Sequence, residues 1–249
     1  MRKICILTAL LGRAALSQVT HPVPVAYTVV MDEVTASSTI RAHKSAEQIR
    51  ARRMNGDSVV QNTILDPHDE SRAISVQRRM RIGNLAITSY DFAHAKSTMK
   101  LSDDEVAAYR ADRYTPESDC TRTTNGWPAD SRMIPVVAGR EKIAGIDTIK
   151  LKSRNTTDWR APALGCEVVQ YMMTFEAGSI SVHRPSKITM GEPDESLFTI
   201  SATYTEAPPS QAFTMEFNHR QILQGLAIKP IAAEHTFQTH DQQYYSHRP

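Results

Sequence analysis

The chain has little of what usually announces chemistry. It has three cysteines in 249 residues and no C-x-x-C pair, which is weak ground for a metal or redox centre. Neither Gly-x-Ser-x-Gly nor a glycine-rich phosphate loop occurs, and Ser-x-x-Lys never opens a helix, so no nucleophile elbow or nucleotide cradle is signalled. Charge of one sign is missing too, with Lys+Arg 29 against Asp+Glu 27. A nucleic-acid binder would carry an evident basic face. The only basic run, Arg50-Ala51-Arg52-Arg53, reads as a solvated strand face. No heptad, internal repeat or second apolar span is present. With two tryptophans, Trp127 and Trp159 are each expected to anchor something.

What is present begins with an address. Arg2 and Lys3 precede the apolar run Ile4–Leu11, and Ala15 and Ser17 are small residues at positions minus three and minus one of a cut before Gln18. This pattern reads as a secretory signal peptide over residues 1–17. The run is about half the ~20 residues a membrane span needs. Removing it takes away three basic residues and no acid, shifting the formal charge from +2 to −1. The destination is then the periplasm or the extracellular medium. Cys5 leaves with the leader, and Cys120 and Cys166 remain to form one disulfide in an oxidising compartment.

Residues 18–230 read as one β-rich domain, with a soft boundary near Pro128, and residues 231–249 as a polar flexible tail. Tyr27, Val29 and Met31 alternate with Thr28, Val30 and Asp32. Asn55-Gly56 between two strand-like runs is a strong hairpin signal, because both turn positions need residues that accept positive φ. Asp66–Asp69 and Gly83-Asn84 mark further turns, so the pattern up to Met99 is an antiparallel meander. Ser102-Asp103-Asp104-Glu105 is a capping box opening a short helix that Pro116 ends. After it, Glu141–Leu151 reads as strand, turn, strand. Trp159–Cys166 reads as turn-rich, and Glu167–Phe175 as a central strand returning through Ser179–Val182. The predicted fold is mainly β with minor α: a curved antiparallel sheet or half-barrel with one or two short helices.

Two segments carry a resemblance. Trp159-Arg160-Ala161-Pro162-Ala163-Leu164-Gly165-Cys166 and Gly191-Glu192-Pro193-Asp194-Glu195-Ser196-Leu197-Phe198 resemble exported bacterial proteins of unknown function that pair a W-x-A-P-x-L-G-C segment with a G-x-P-D-x-x-L-F turn. The likeness covers mainly residues 140–210 and implies no activity. In outline alone, the order of leader, meander, capped helix and further strands is similar to the lipoprotein-carrier half-barrels of the periplasm. That analogy implies a concave sheet face where an acyl chain lies.

Candidate chemistry is sparse. His235, His240, His247 and Asp241 sit in the tail at spacings unlike a zinc site, and His68 and Asp69 belong to a turn. His183 reads as a strand residue. Asp103, Asp104 and Glu105 explain themselves as helix-start charges. No catalytic residue, metal or cofactor is expected. Trp159, Met172, Met173 and Phe175 are the candidates for a ligand groove, although each also fits a packed core. The leading expectation is a non-enzymatic carrier of an apolar small molecule or lipid. A structural or interaction module binding an envelope protein is the alternative, and an exported hydrolase the third.

Overall fold

The computed structural model describes residues 25–37, 42–111, 120–121, 135–175, 178–208, 211, 215 and 218–219. The leader with its Ser17–Gln18 junction, Trp127, Pro128 and the tail from residue 231 lie outside them. Twelve strands follow in order: β1 Tyr27–Ala36, β2 His43–Arg52, β3 Ser58–Asp66, β4 Asp69–Ile82, β5 Leu85–Tyr90, β6 Ala95–Lys100, β7 Val136–Ile143, β8 Ile146–Lys152, β9 Thr156–Ala161, β10 Glu167–Thr174, β11 Ile180–Met190 and β12 Thr205–Glu206. Helix α1, Asp103–Ala111, lies between β6 and β7.

All twelve strands belong to one open, curved sheet in the order β12-β6-β5-β4-β3-β2-β1-β11-β10-β9-β8-β7. Among the described residues every pairing is antiparallel except β12 with β6. The topology is two meanders laid side by side. Strands β1 to β6 form one and β7 to β11 the other, and they join where β1 pairs with β11. The mainly β expectation holds.

Local sequence explains the turns and bends. Gly56 at φ 102° accepts the conformation demanded after Asn55. In the capping box the Ser102 N–H donates to Glu105 Oε2 (2.7 Å), while the Glu105 N–H donates to Ser102 Oγ (3.3 Å). Strand β11 runs on to Met190, well beyond the expected Val182, even though it contains Pro185. The register between β1 and β11 shifts at that point, and a bulge is where a sheet tolerates a residue with no N–H to donate. Trp159–Ala161 is the end of strand β9, and the turn begins only with the short 3-10 segment Pro162–Leu164.

Four apolar clusters hold the sheet among the described residues, and two of them flank its centre. In the first, Tyr27, Val29 and Met31 pack with Trp159, Ala161, Leu164 and Val169. In the second, Ala51, Val59 and Met80 pack beneath Phe198, whose ring also carries the Arg53 guanidinium at 4.1 Å. Cys120 and Cys166 are joined as a disulfide. Cys120 is fully buried against Ile149 and Leu151, so the bridge ties the segment after α1 to the second meander.

Candidate functional site

Strand register places four arginines on one face. Directly opposed residues of antiparallel strands share a face. One row therefore runs Met190–Tyr27–Arg52–Ser58–Arg81–Ala86–Met99 across β11, β1, β2, β3, β4, β5 and β6. The next row runs Ile188–Val29–Arg50–Val60–Arg79–Thr88–Ser97 across the same strands. Arg50 and Arg52 on β2 thus face Arg79 and Arg81 on β4, two strands or about 10 Å apart, with only Ser58 and Val60 between them. The basic run expected to be one solvated face is divided: Arg50 and Arg52 turn to this side, Arg53 to Phe198 on the other.

These residues line a half-open cavity of about 420 Å³ whose rim also includes Tyr27 and Glu167. Glu167 organises one end. Its Oε1 is 2.7 Å from Arg50 Nη1, and its Oε2 accepts from Tyr27 Oη at 2.5 Å. Burial, and then the Glu167 charge, push the Tyr27 phenol well above its usual pKa, so it stays a donor. From there hydrogen bonds continue along the sheet. Arg50 Nε donates to Gln48 Oε1 (2.6 Å), Gln48 Nε2 to Asn62 Oδ1 (2.6 Å), and Asn62 Nδ2 to Gln77 Oε1 (3.2 Å). Such a connected network fixes side-chain directions that isolated polar groups would not hold.

Two further spaces adjoin it. Arg79 is shared with a cavity of about 250 Å³ that includes Glu33, Gln77 and His183. His183 Nε2 lies 3.8 Å from Glu33 Oε2. Burial holds the His183 pKa below its ordinary value, with Glu33 opposing and Arg50 reinforcing that shift. On the other side, Met190, opposite Tyr27, lines a depression of about 580 Å³ with Ile146, Pro162 and Ala163. Met190 is 52% exposed. Arg140 and Asp147 also line that depression, so a cavity rich in arginine and a mixed shelf with an apolar wall meet at the Tyr27–Met190 pair.

The groove candidates read from the sequence sit elsewhere. Trp159 is buried in the first cluster, its Nε1 donating to Glu141 Oε1 at 2.5 Å and Lys150 Nζ 4.9 Å from its ring. Met172 packs against the same cluster. Met173 is half-buried opposite Ser181 and Thr156, and Phe175 is 46% exposed. None of the four lines these three spaces. The arginine face escaped sequence reading because it needs the register of β2, β3 and β4. Its trace was there in the matching pattern Arg-x-Arg at 50–52 and 79–81.

Two serines lie near histidines, and neither has the geometry of a nucleophile. Ser75 Oγ is 3.1 Å from His219 Nδ1 and donates to Asp91 Oδ1 at 3.3 Å. Here the serine stands between acid and histidine, whereas a nucleophile needs the histidine in the middle, and Ser75 is fully buried. Ser181 Oγ likewise donates to Glu33 (3.0 Å) rather than to His183. Among the described residues no group of three or more His, Cys, Asp or Glu is placed to hold a metal ion. No described helix is long and apolar enough to cross a membrane.

No family model matches the chain, and no curated protein does. Among solved structures it is similar to an uncharacterised conserved protein of Thermus thermophilus (8% identity, 74% of this chain and 90% of that one, TM-score 0.39). It is also similar to a LolA-superfamily protein of Nitrosomonas europaea (13%, 70% and 90%, 0.31). The lipoprotein LppX of Mycobacterium tuberculosis is comparably distant (14%, 69% and 88%, 0.29). Scores this low say nothing about ligand or activity.

Proposed function

We propose that the protein is an exported, non-enzymatic carrier or binding protein for a lipid-like amphipathic molecule. One observation carries this reading. A cavity of about 420 Å³ lined by arginines and a depression of about 580 Å³, whose apolar wall of Ile146, Pro162, Ala163 and Met190 also meets Arg140 and Asp147, come together at the Tyr27–Met190 pair on one sheet. Small-molecule sites combine an apolar wall with a few placed polar groups, and a molecule with a polar end and a chain fits both halves at once. Export is supported by the Cys120–Cys166 disulfide, which persists in oxidising compartments, and by the leader pattern.

Native mass spectrometry of protein purified from the export compartment tests the reading. A non-covalent mass of lipid size, released on collisional activation, is the expected result. Protein that is bare, and whose Tm no fatty acid or phospholipid raises, contradicts it. The envelope-interaction reading has one feature of its own, the edge strand β7 with Val136 63% and Val137 55% exposed. A single envelope protein captured by wild type, and lost on Val136→Lys/Val137→Lys, would favour it.

A further inference from the structure

We infer that the smaller cavity beside the arginines is a site for a neutral polyhydroxyl group: one sugar ring or a short polyol, free or as the head group on a chain. The inference goes beyond the carrier reading and stands whether or not a chain is attached. The cavity measures about 250 Å³, below the roughly 300–1,000 Å³ of drug-sized sites, so it takes a small group.

Strand register builds its floor. Gln48, Asn62 and Gln77 are directly opposed on β2, β3 and β4. Gln48 Nε2 donates to Asn62 Oδ1, and Asn62 Nδ2 donates to Gln77 Oε1. The next row on the same face runs Glu33–Ala46–Ile64 across β1, β2 and β3, with Ala46 and Ile64 buried. His219, which lies outside the sheet, also lines the cavity, its Nδ1 3.1 Å from Ser75 Oγ. A ladder of carboxamides therefore lies beside an apolar strip in one small space.

Three features of this lining select hydroxyl groups over ions. First, its charged groups are already engaged. Glu33 Oε1 accepts from Ser181 Oγ (3.0 Å), and its Oε2 lies 3.8 Å from His183 Nε2. Glu47 Oε2 is 3.3 Å from Lys44 Nζ, and Arg79 has partners of its own. An anion would meet the two glutamates, and a cation the arginine. Second, a carboxamide carries two N–H donors and two acceptor lone pairs. Among the described residues the network uses one of each on Gln48, through Arg50 and Asn62, and one of each on Asn62, through Gln48 and Gln77. The network holds both side chains in place, and the second donor and second acceptor on each match a hydroxyl, which itself both donates and accepts. Third, Ala46 and Ile64 offer an apolar wall to the C–H side of a sugar ring. An apolar wall with a few placed polar groups is the general form of a small-molecule site.

Saturation-transfer NMR and calorimetric titration of the purified protein test this. The probes are glucose, mannose and galactose as free sugars, octyl glucoside below its micellar concentration as a sugar on a chain, and octanol as the chain alone. Wild type is expected to bind at least one of the free sugars or octyl glucoside. Asn62→Leu removes the central carboxamide and should weaken that binding at least about tenfold, the size of one or two hydrogen bonds. Ala46→Phe fills the cavity and leaves the ladder in place; it should weaken binding equally, so the test survives if Asn62→Leu fails to fold. Lys187→Gln, a charge removed elsewhere on the sheet, should change nothing. Octyl glucoside bound more tightly than any free sugar, with both variants weakening it, supports the site and the carrier reading together. A free sugar bound as tightly as octyl glucoside supports the site and counts against the carrier reading. Octanol bound as tightly as octyl glucoside, with no free sugar bound, overturns the site and leaves the carrier reading standing. Sugar binding that neither variant weakens, or no binding of any sugar probe, also overturns the site.

Discussion

The two ends of this sheet solve different problems with the same strand geometry. Around β8 to β10, side chains are spent on packing. Trp159, Ala161, Leu164 and Val169 are buried together, the Trp159 N–H is satisfied by Glu141, and the disulfide closes the region. Across β2 to β4, one face carries arginines, glutamine and asparagine, while the opposite face of the same strands buries Ala51, Val59 and Met80. Strand alternation makes this division possible, because one strand presents a core on one side and a charged surface on the other. The lesson is that packing is concentrated where the sequence looks distinctive, and the proposed recognition surface lies where it looks ordinary.

Breaking the packed end should have the largest effect. Cys120→Ser/Cys166→Ser opens a bridge spanning 46 residues, which loop entropy values at about 4 kcal/mol. Chemical denaturation should show a loss of that order, with ligand binding at the arginine face retained below the transition. A loss of binding without a loss of stability would join the two regions that the structure separates.

A smaller effect is expected at the seam. Glu167→Gln removes the charge that holds Arg50 and Tyr27. Both Arg50 and Glu167 are only partly exposed, at 29% and 18%, so the loss should be about 1–2 kcal/mol. The same change removes the carboxylate from the described lining of the cavity, so affinity for an anionic probe should rise as stability falls. Opposite movement of the two, read by denaturation and titration on one sample, sharpens the distinction between packing and recognition.

The smallest effect is a pH slope. His183 is held below its ordinary pKa by burial, with Glu33 and Arg50 as its charged neighbours and the Tyr171 ring beside it. Below the unfolded histidine pKa of about 6.5, the unfolded chain takes up a proton that the folded chain resists. Stability therefore declines as pH falls from about 7 until His183 itself protonates. His183→Gln should flatten unfolding free energy measured between about pH 7 and 5 relative to wild type. An unchanged slope would remove His183 as its source.

Much of the fold was legible because its signals are local. The Ser102–Glu105 capping box and the alternation of Tyr27, Val29 and Met31 each need only neighbouring residues, and each appears as read; Asn55-Gly56 does mark a hairpin, but only Gly56 takes positive φ and the loop runs from Arg53 to Asp57. Strand β11 runs past the expected Val182 to Met190, and the bulge opposite Val30 and Met31 that lets it carry Pro185 has no local signal. Trp159–Ala161 read as a turn because Pro162 and Gly165 follow so closely, although the strand persists to the residue before the proline. The arginine face was not legible, since Arg50 and Arg79 are neighbours only through the register of β3. Trp159 and the methionines drew attention as scarce or adaptable residues, yet scarcity of a residue type says nothing about which face of the sheet it occupies.

Side-chain oxidation footprinting with and without bound lipid tests the location of the site most directly. Met190 and Phe175 are both exposed, at 52% and 46%, so both report. The account predicts that lipid protects Met190, together with Ile146, and leaves Phe175 and Met173 as reactive as before. Protection of Phe175 and Met173 with Met190 unchanged would contradict it, returning the ligand to the groove first read from the sequence.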